Sequence, residues 1–191
     1  MTDDSTIRMK LLTAVTGASG MIFIQAFLSL CRKQQDLTVH GICSDSGRDV
    51  VMMELGADVA ELEGVTHWYD IDDFTAAPAS GSNDYDAMVV LPCSMGTLGA
   101  IASGLSMNLI HRAADVMLKE RRRLVLCVRE TPLNRTHLKN MLTVHDAGAV
   151  VCPPLPSFYF KPASLEEAAL SFGWRLMDQI GIDVAGRRRW R

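Results

Sequence analysis

The chain has 191 residues, of which 48% are hydrophobic and only 6% are aromatic. This length suits one domain, here expected over residues 1–191, with a full core of aliphatic side chains and methionines and terminal tails at 1–8 and 183–191. A formal net charge of −3 argues against wholesale electrostatic capture of nucleic acid, although it leaves room for local basic patches. We therefore expect no nucleic-acid partner.

The cysteines and the absence of long apolar runs indicate the compartment. An odd number of cysteines, none in a C-x-x-C pair, argues against a disulfide framework: Cys31, Cys43, Cys93, Cys127 and Cys152. The first five residues are polar and acidic, and no apolar run approaches the ~20 residues that span a bilayer. The sequence therefore predicts a cytoplasmic protein without a membrane anchor.

Strand-like and helix-like segments alternate along the chain. Strand-like apolar runs occupy residues 10–16, 37–44, 87–91, 124–128 and 149–152. Helix-like runs occupy residues 20–33, 47–55, 96–103, 109–120, 134–147 and 165–180. The alternation predicts an α/β fold with a doubly wound parallel sheet, a three-layer sandwich. Residues 58–84 are acidic and contain scattered glycine and serine, so we expect a long surface connection there.

Two strand-to-helix turns are candidate phosphate sites. Thr16-Gly17-Ala18-Ser19-Gly20 follows the first predicted strand, and Pro92-Cys93-Ser94-Met95-Gly96-Thr97 follows the third, which we expect Pro92 to end. Small residues let the backbone approach an anion, and a helix N-terminus adds N–H donors and a positive dipole end. Such turns lie at the ligand-binding edge of an open α/β sheet. An ordinary helix N-cap explains the first turn alone equally well.

The first turn differs from the dinucleotide-binding sequences. Ser19 and Ile22 stand where the G-x-G-x-x-G fingerprint has its second and third glycines, and Met21 and Phe23 stand where short-chain dehydrogenases have glycine. No tyrosine is followed four residues later by lysine, so the acid/base pair of those dehydrogenases is missing too. A mononucleotide or a monophosphate therefore suits this turn better than a dinucleotide.

Charged and phenolic residues stand near the expected ligand edge. Arg129 and Glu130 directly follow the apolar strand 124–128, a position that favours a functional role. Arg112 and Lys119 lie seven residues apart on one predicted helix and so share roughly one face. Tyr159 offers a phenol in the proline-rich segment after the last strand, although a rigid connection with packing aromatics also explains that segment.

Taken together, these motifs resemble the flavin prenyltransferase family, of the UbiX type. The matching segments are 17–20, 78–81, 91–97, 108–120, 124–132, 137–142, 153–159 and 178–181, within a likeness that spans residues 11–182. The resemblance implies one flavin-binding domain with a flavodoxin-like or Rossmann-like fold, assembled as a homododecamer. It also implies that the enzyme joins a dimethylallyl group from dimethylallyl phosphate to N5 and C6 of reduced FMN. The product, prenylated FMN, would serve a partner decarboxylase.

The resemblance also implies roles for individual residues. FMN would be bound by Gly17, Ala18, Ser19, Ser44, Ser94, Met95, Gly96, Thr97 and Arg129. Ser46 remains an alternative to Ser44. The prenyl phosphate would be bound by Ala79, Ser80, Arg112, Lys119, Tyr159, Arg175 and Trp190, with Ala79 and Ser80 coming from a neighbouring subunit. Glu130, Lys119 and Ser19 would take part in catalysis.

These residue types suit the reaction without a metal. Fixed cations at Lys119, Arg129 and Arg175 would stabilise the charge that grows on the leaving phosphate. Glu130 is the best-placed general base for the proton lost from flavin C6. Diphosphate-using prenyl enzymes hold magnesium through D-D-x-x-D aspartates, and Asp70, Asp72 and Asp73 do not reproduce that spacing, so we predict no metal site.

Other functions stay open at this stage. One is an FMN-binding cysteine decarboxylase, although that family has Pro-Ala-Ser-Ala-Asn-Thr where this chain has residues 92–97. Another is a non-catalytic flavin carrier subunit, which would not need a second phosphate site. A third is covalent catalysis by Cys93, for which no base is identifiable among His111, His137 and His145; a small buried thiol explains Cys93 better.

Overall fold

The computed structural model describes residues 9–187, which contain one six-stranded, all-parallel sheet. The strands are β1 Met9–Val15, β2 Leu37–Cys43, β3 His67–Tyr69, β4 Ala87–Cys93, β5 Arg123–Val128 and β6 Val150–Val151. Their spatial order is β3-β2-β1-β4-β5-β6. This is the doubly wound Rossmann order, in which the chain reverses direction across the sheet between β1 and β4. The predicted fold class is confirmed.

Six α-helices lie within residues 9–187, five between strands and α6 after β6, and each was predicted to within two residues at either end. They are α1 Met21–Cys31, α2 Asp45–Leu55, α3 Met95–Ala102, α4 Leu109–Lys119, α5 Arg135–Asp146 and α6 Leu165–Ile180. From α2 onward each helix begins after a serine or asparagine whose side chain accepts a hydrogen bond from the third helical N–H. Helix α1 differs, since its N-cap is Gly20, which has no side chain to cap with.

The helices form two layers, one on each face of the sheet. Helices α1, α2 and α6 pack on one face, and α3, α4 and α5 pack on the other. Alternate strand residues point to opposite faces, so Val89 and Val125 join the first core whereas Val90 and Leu126 join the second. Both faces of the central strands are buried, which is why β4 and β5 read as continuous apolar runs.

The parallel strands give the sheet two distinct edges. At the carboxyl edge the strands end, and the turns that follow β1 and β4 lie side by side because β1 and β4 are paired. This is the topological switch point, where open α/β sheets bind their ligands. At the opposite, amino edge the strands begin, and α4 and α6 end there.

Two details of the predicted strands are wrong. Strand β3 lies inside the predicted connection 58–84, because its three residues are too few to show a strand period. Pro92 does not end β4, which continues to Cys93 after a register shift between Val90 and Cys93. A proline has no N–H to donate, so it is accommodated where the ladder is interrupted.

The predicted C-terminal tail begins with residues that pack on the domain. Val184 is buried in the core on the α6 face, and Arg187 forms ion pairs with Asp178 of α6 and with Asp183. Residues 183–187 therefore belong to the folded body. In the described part of the chain, no helix combines the length and apolar character needed to cross a membrane.

Candidate functional site

Thr16 joins the two predicted turns to each other. Its hydroxyl donates to the carbonyl of Pro92 at 2.8 Å and accepts from the backbone N–H of Ser94 at 2.8 Å. Its own N–H also reaches the Pro92 carbonyl, at 3.2 Å. Thr16 is buried, so these bonds are shielded from water. The sequence gives no signal for this role of Thr16; the bonds show that it fixes the spacing between the two turns.

The first turn is filled by the chain itself. A Cβ atom at Gly17 would lie 2.4 Å from Ser46 Oγ and 2.5 Å from Ser46 Cβ. Ser46 stands in the first turn of α2, so glycine is required here for packing against α2. The close approach attributed to a ligand at Gly17 is thus already made by Ser46.

A carboxylate occupies the N-terminus of α1. Glu54 of α2 accepts from the N–H of Gly20 at 2.9 Å and from the N–H of Met21 at 2.7 Å, and the Ser19 hydroxyl also bonds to it. These donors are the ones that the first turn was expected to offer to a phosphate. Glu54 therefore replaces the missing side-chain cap, and a phosphate bound at this helix end would have to displace it, so the first turn as a phosphate site stays a prediction.

The electrostatics of Glu54 reflect these contacts. Burial alone raises the pKa of Glu54, but the hydrogen bonds from Ser19, Met21 and Gly20, together with the nearby charge of Arg129, outweigh it and hold the pKa below its ordinary value. Sequence reasoning missed Glu54, since one acid on an exposed helix carries no local signal. Only the packing of α2 beside α1 reveals its position.

The second turn is open. Ser94 caps α3, accepting from the N–H of Thr97 and donating to its hydroxyl at 3.1 Å. A Cβ atom at Gly96 would meet no atom within 4 Å. Helix geometry leaves the N–H groups of Met95 and Gly96 without an intrahelical acceptor. A dipole end, two hydroxyls and free space at one helix N-terminus fit a phosphate monoester, such as that of FMN.

Ser44 and Ser46 lie next to each other beside the first turn. Ser44 Oγ accepts from the N–H of Gly47 at 3.0 Å, so it serves as the N-cap of α2. Its hydroxyl also lies 3.2 Å from that of Ser46, which faces Gly17. Both hydroxyls therefore stand at the carboxyl edge, and the choice of flavin contact between them stays a prediction.

Arg129 and Glu130 lie at the carboxyl end of β5, beside the second turn. The N–H of Arg129 donates to the carbonyl of Cys93 at 3.1 Å. The carboxylate of Glu130 accepts from the N–H of Thr131 at 2.9 Å and is exposed. This places one cation and one exposed carboxylate next to the open turn, as the sequence predicted.

Tyr159 and Arg175 line one cavity of about 490 Å³. Phe172 also lines it and packs edge-on against Phe23, with ring centroids 5.4 Å apart. Phe23 is the third residue of α1, so one wall of the cavity lies near the first turn, whereas Asp178 and Arg187 line it near the end of α6. Arg175 is close enough to Cys152, just after β6, to lower the pKa of that thiol against the larger upward effect of burial.

The remaining predicted substrate residues lie on α4 and on the segment that packs against it. Arg112 donates from Nε to the carbonyl of Ala79 at 2.9 Å, and Lys119 pairs with Glu120 near Gly81. Lys119 ends α4 four residues before β5 begins, at the amino edge. Because β5 has six residues, Lys119 lies about 20 Å from the far end of that strand. Within one chain, therefore, Lys119 does not join Glu130.

Ser80 and Trp190 are the last of the predicted substrate residues. Ser80 follows Ala79 in the same segment, and its hydroxyl lies 2.8 Å from that of Ser82. Trp190 falls outside the described residues. Among residues 9–187, no group of three or more histidine, cysteine, aspartate or glutamate side chains is arranged to hold a metal ion.

The thiol of Cys93 is unsuited to nucleophilic attack. It is fully buried, and burial raises its pKa to about 12. A thiol with so high a pKa forms almost no thiolate at neutral pH. The geometry thus favours the packing interpretation of Cys93 over covalent catalysis.

Comparisons with known proteins show the family. The Flavoprotein family model matches residues 2–169. The flavin prenyltransferase UbiX of Methanocaldococcus jannaschii is 43% identical over 183 residues, which cover 95% of this chain and 98% of that protein. AnUbiX (PadA1), solved in complex with FMN and dimethylallyl pyrophosphate, is 39% identical, with a TM-score of 0.92 and coverage of 96% of this chain and 98% of that one.

A second solved relative is the dodecameric, FMN-dependent UbiX-like decarboxylase from Escherichia coli O157:H7. It is 35% identical, with a TM-score of 0.92, and the match covers 96% of this chain and all of that one. Sequence identity, coverage and fold thus agree across relatives that share the UbiX name. The chain belongs to the flavin prenyltransferase family, of the UbiX type.

Proposed function

We propose that this protein transfers the dimethylallyl group of dimethylallyl phosphate to N5 and C6 of reduced FMN. One observation carries the proposal: the domain has two places suited to a phosphate, the open turn at Gly96 and the cavity lined by Tyr159 and Arg175. A reaction between a flavin mononucleotide and an allylic phosphate needs two such places. A simple flavin carrier needs only one.

The open turn would hold the phosphate of FMN. The N-terminus of α3 supplies backbone donors, Ser94 and Thr97 supply hydroxyls, and Met95 and Gly96 line the approach. The first turn, with Gly17, Ala18, Ser19 and Ser44 or Ser46, would then contact the rest of the nucleotide, and Arg129 would lie between the two turns. Reduced FMN, when bound, supplies N5 and C6 as the atoms that accept the prenyl carbons.

Arg175, Tyr159 and Lys119 would hold the prenyl phosphate. The C–O bond of an allylic phosphate breaks with its electron pair on the departing oxygen, so fixed cations next to that oxygen lower the barrier. A tyrosine hydroxyl adds a neutral donor to the same oxygen atoms. The apolar residues of the cavity, among them Leu155 and Phe172, would keep water from the allyl group.

Glu130 would accept the proton that leaves flavin C6. Its carboxylate is exposed beside the open turn and is bonded only to its neighbour's N–H among the contacts described above. Ser19 gives its one hydroxyl proton to Glu54, so toward the substrate its oxygen would act as an acceptor, or as a donor once the bond to Glu54 is exchanged. Glu54 thus serves as a positioning residue for Ser19.

A complete site would require more than one copy of the chain. Arg112, Lys119, Ala79 and Ser80 lie on the α4 side of the domain, so they would reach the reacting atoms of a neighbouring copy. Assembly into a homododecamer, as its relative from Escherichia coli O157:H7 forms, is supported by this division.

The wider setting follows from the same proposal. Prenylated FMN would pass to a partner decarboxylase. The cytoplasm is the proposed location, because all five cysteines are free thiols, as expected in a reducing compartment. A cysteine decarboxylase activity is the weaker alternative, since identity of 35–43% ties the chain to UbiX-type proteins.

The test is anaerobic incubation of the protein with reduced FMN and dimethylallyl phosphate, followed by mass analysis of the flavin. We expect a flavin heavier by one five-carbon unit. Arg175→Ala should bind FMN within a few-fold of wild type and lower the rate of transfer by about 100- to 1,000-fold, the scale for loss of a preorganised charge. Lys33→Ala, an exposed residue beyond α1, is the control. An unmodified flavin with the wild-type protein would refute prenyl transfer.

A further inference from the structure

We propose that the loop 79–83, held in place by Arg122, positions the ammonium group of Lys119. The loop precedes β4 in the chain and packs beside α4, the helix that ends with Lys119. The inference rests on the proposed function in one respect, that Lys119 binds the prenyl phosphate. Arg122 would act through Lys119, so its role is that of a positioning residue.

Arg122 binds the backbone of this loop. Its guanidinium donates one hydrogen bond to the carbonyl of Gly81 at 2.8 Å and another to the carbonyl of Asn83. The planar, rigid fork of a guanidinium is suited to holding two such acceptors at once. Arg122 is half-buried, whereas its neighbours Arg121 and Arg123 are exposed. Among these three consecutive arginines, Arg122 therefore has a contact that a solvated charge does not need.

Lys119 and Arg122 belong to one turn at the end of α4. Arg121 has a left-handed backbone conformation, with a φ of 55°. The N–H of Arg121 donates to the carbonyl of Leu118 at 3.1 Å. The N–H of Arg122 donates to the carbonyl of Met117 at 2.8 Å. These two bonds form the Schellman motif that ends many helices. The turn thus fixes the backbone of Lys119 relative to the side chain that holds the loop.

The loop lies directly against the ammonium of Lys119. A Cβ atom at Gly81 would lie 2.7 Å from Lys119 Nζ and would overlap the carboxylate of Glu120. Lys119 and Glu120 form an ion pair at this point, and the hydrogen bond from Lys119 holds the pKa of Glu120 below its ordinary value. Only glycine leaves room for both charged groups beside the loop backbone. The position of the loop therefore decides where the ammonium can lie.

Arg112 holds the beginning of the same loop. Its Nε donates to the carbonyl of Ala79 at 2.9 Å, and its side chain is fixed in turn by an ion pair with Asp115 at 2.9 Å. Removal of Arg122 would therefore leave Ala79 bound to α4 and release the part of the loop nearest Lys119. We expect the ammonium to lose its fixed position as a result.

The first experiment measures the binding of dimethylallyl phosphate by calorimetry, with oxidised FMN present so that no transfer follows. Arg122→Ala should weaken binding about tenfold in the wild-type background and by less than about twofold in the Lys119→Ala background, because Arg122 acts through Lys119. Arg121→Ala removes the same charge from the adjacent, exposed residue and should stay within about twofold of wild type. Equal weakening by Arg122→Ala in both backgrounds, or no weakening in either, would overturn the proposal.

A second variant decides the matter if Arg122→Ala fails to fold. Gly81→Ala should weaken binding of dimethylallyl phosphate about tenfold without lowering the melting temperature, since the added carbon meets the ends of two flexible side chains. Unchanged binding by Gly81→Ala would overturn the proposal. Failure of the proposed function would show differently, as an unmodified flavin when the wild-type protein is given reduced FMN. Prenyl transfer by the wild-type protein with no effect of either variant would overturn this inference alone.

Discussion

The turns after β1 and β4 are built from similar residues, but protein atoms fill the first turn and leave the second open. Each follows a buried strand, carries small residues and hydroxyls, and leads into a helix N-terminus. In the first turn, Ser46 fills the space above Gly17 and Glu54 takes the N–H groups of Gly20 and Met21. In the second turn, the space at Gly96 is empty of protein atoms to 4 Å. Protein atoms thus fill the first turn and leave the second open.

The difference comes from the element that lies beside each turn. Helix α2 begins next to the first turn, since Ser44 directly follows β2, the neighbour of β1. The second turn has β5 as its neighbour, and β5 is followed by Arg129 and Glu130 instead of a helix. A glycine-rich turn therefore becomes an anion site only when the adjacent strand leaves it uncovered.

The largest expected effect is at the open turn. Gly96→Val should lower FMN affinity by about 100-fold, equal to about 2.7 kcal/mol, because the side chain would occupy the space proposed for the phosphate. Thermal stability should stay the same or rise slightly, since a helical glycine is replaced without a clash. Titration with FMN and thermal unfolding measure the two quantities.

Opposite signs for affinity and stability distinguish this prediction from a general folding defect. Gly96→Ala, with one added carbon atom, is the graded control and should lower affinity less than valine does. Unchanged FMN affinity in a folded Gly96→Val protein would remove the second turn as the phosphate site.

The next largest effect concerns the first turn, where we expect a substitution to lower the free energy of unfolding. Gly17→Ala should destabilise the domain by about 1–3 kcal/mol, as expected for overpacking against Ser46. Ser46→Gly in the same chain should restore most of this loss, because it removes the two closest atoms. Chemical denaturation of the four proteins in this cycle gives the coupling energy. Additive effects would show that Ser46 is not what excludes a side chain at Gly17.

How much could be predicted from the sequence depends on the range of the interactions. The helices were predicted because caps and periodicity are local, as with Ser94 before α3 and Asn134 before α5. Strand β3 was missed because three residues carry no period, and its pairing with β2 depends on the rest of the sheet. Local patterns thus predict elements, and only tertiary contact places short edge strands.

The candidate site shows the same limit. Both turns and the Arg129-Glu130 pair were predicted, since each follows a strand directly in sequence. Glu54 was not, because it reaches the first turn from the last part of a neighbouring helix. The position of Lys119 at the amino edge also needed the fold, since helical spacing relates it to Arg112 but not to Glu130.

A smaller effect concerns the bond between the two turns. Thr16→Val removes a buried hydroxyl that donates to Pro92 and accepts from Ser94, so it should cost about 1–3 kcal/mol. Thr13 is a matched control in β1, since its buried hydroxyl has no partner within the described chain. Thr13→Val should be neutral or stabilising, because it removes an unsatisfied polar atom. Equal losses in the two variants, measured by denaturation, would contradict a special role for Thr16.

The smallest effect is the pH dependence of the stability that Glu54 contributes at the first turn. Because the folded-state pKa of Glu54 lies below its ordinary value of 4.5, its ionised form stabilises the fold. That contribution is complete above about pH 4.5 and is lost as the pH falls through the lower, folded-state value. Glu54→Gln keeps an acceptor at the α1 N-terminus but no charge, so wild type should be more stable at pH 7 by a fraction of a kcal/mol, since solvent screens an exposed group. This difference in stability between wild type and Glu54→Gln should be smaller at pH 3. Asp49→Asn, which removes another exposed carboxylate from α2, is the control. If the difference in stability between wild type and Glu54→Gln stayed constant with pH, the charge of Glu54 would not be what holds it at the first turn.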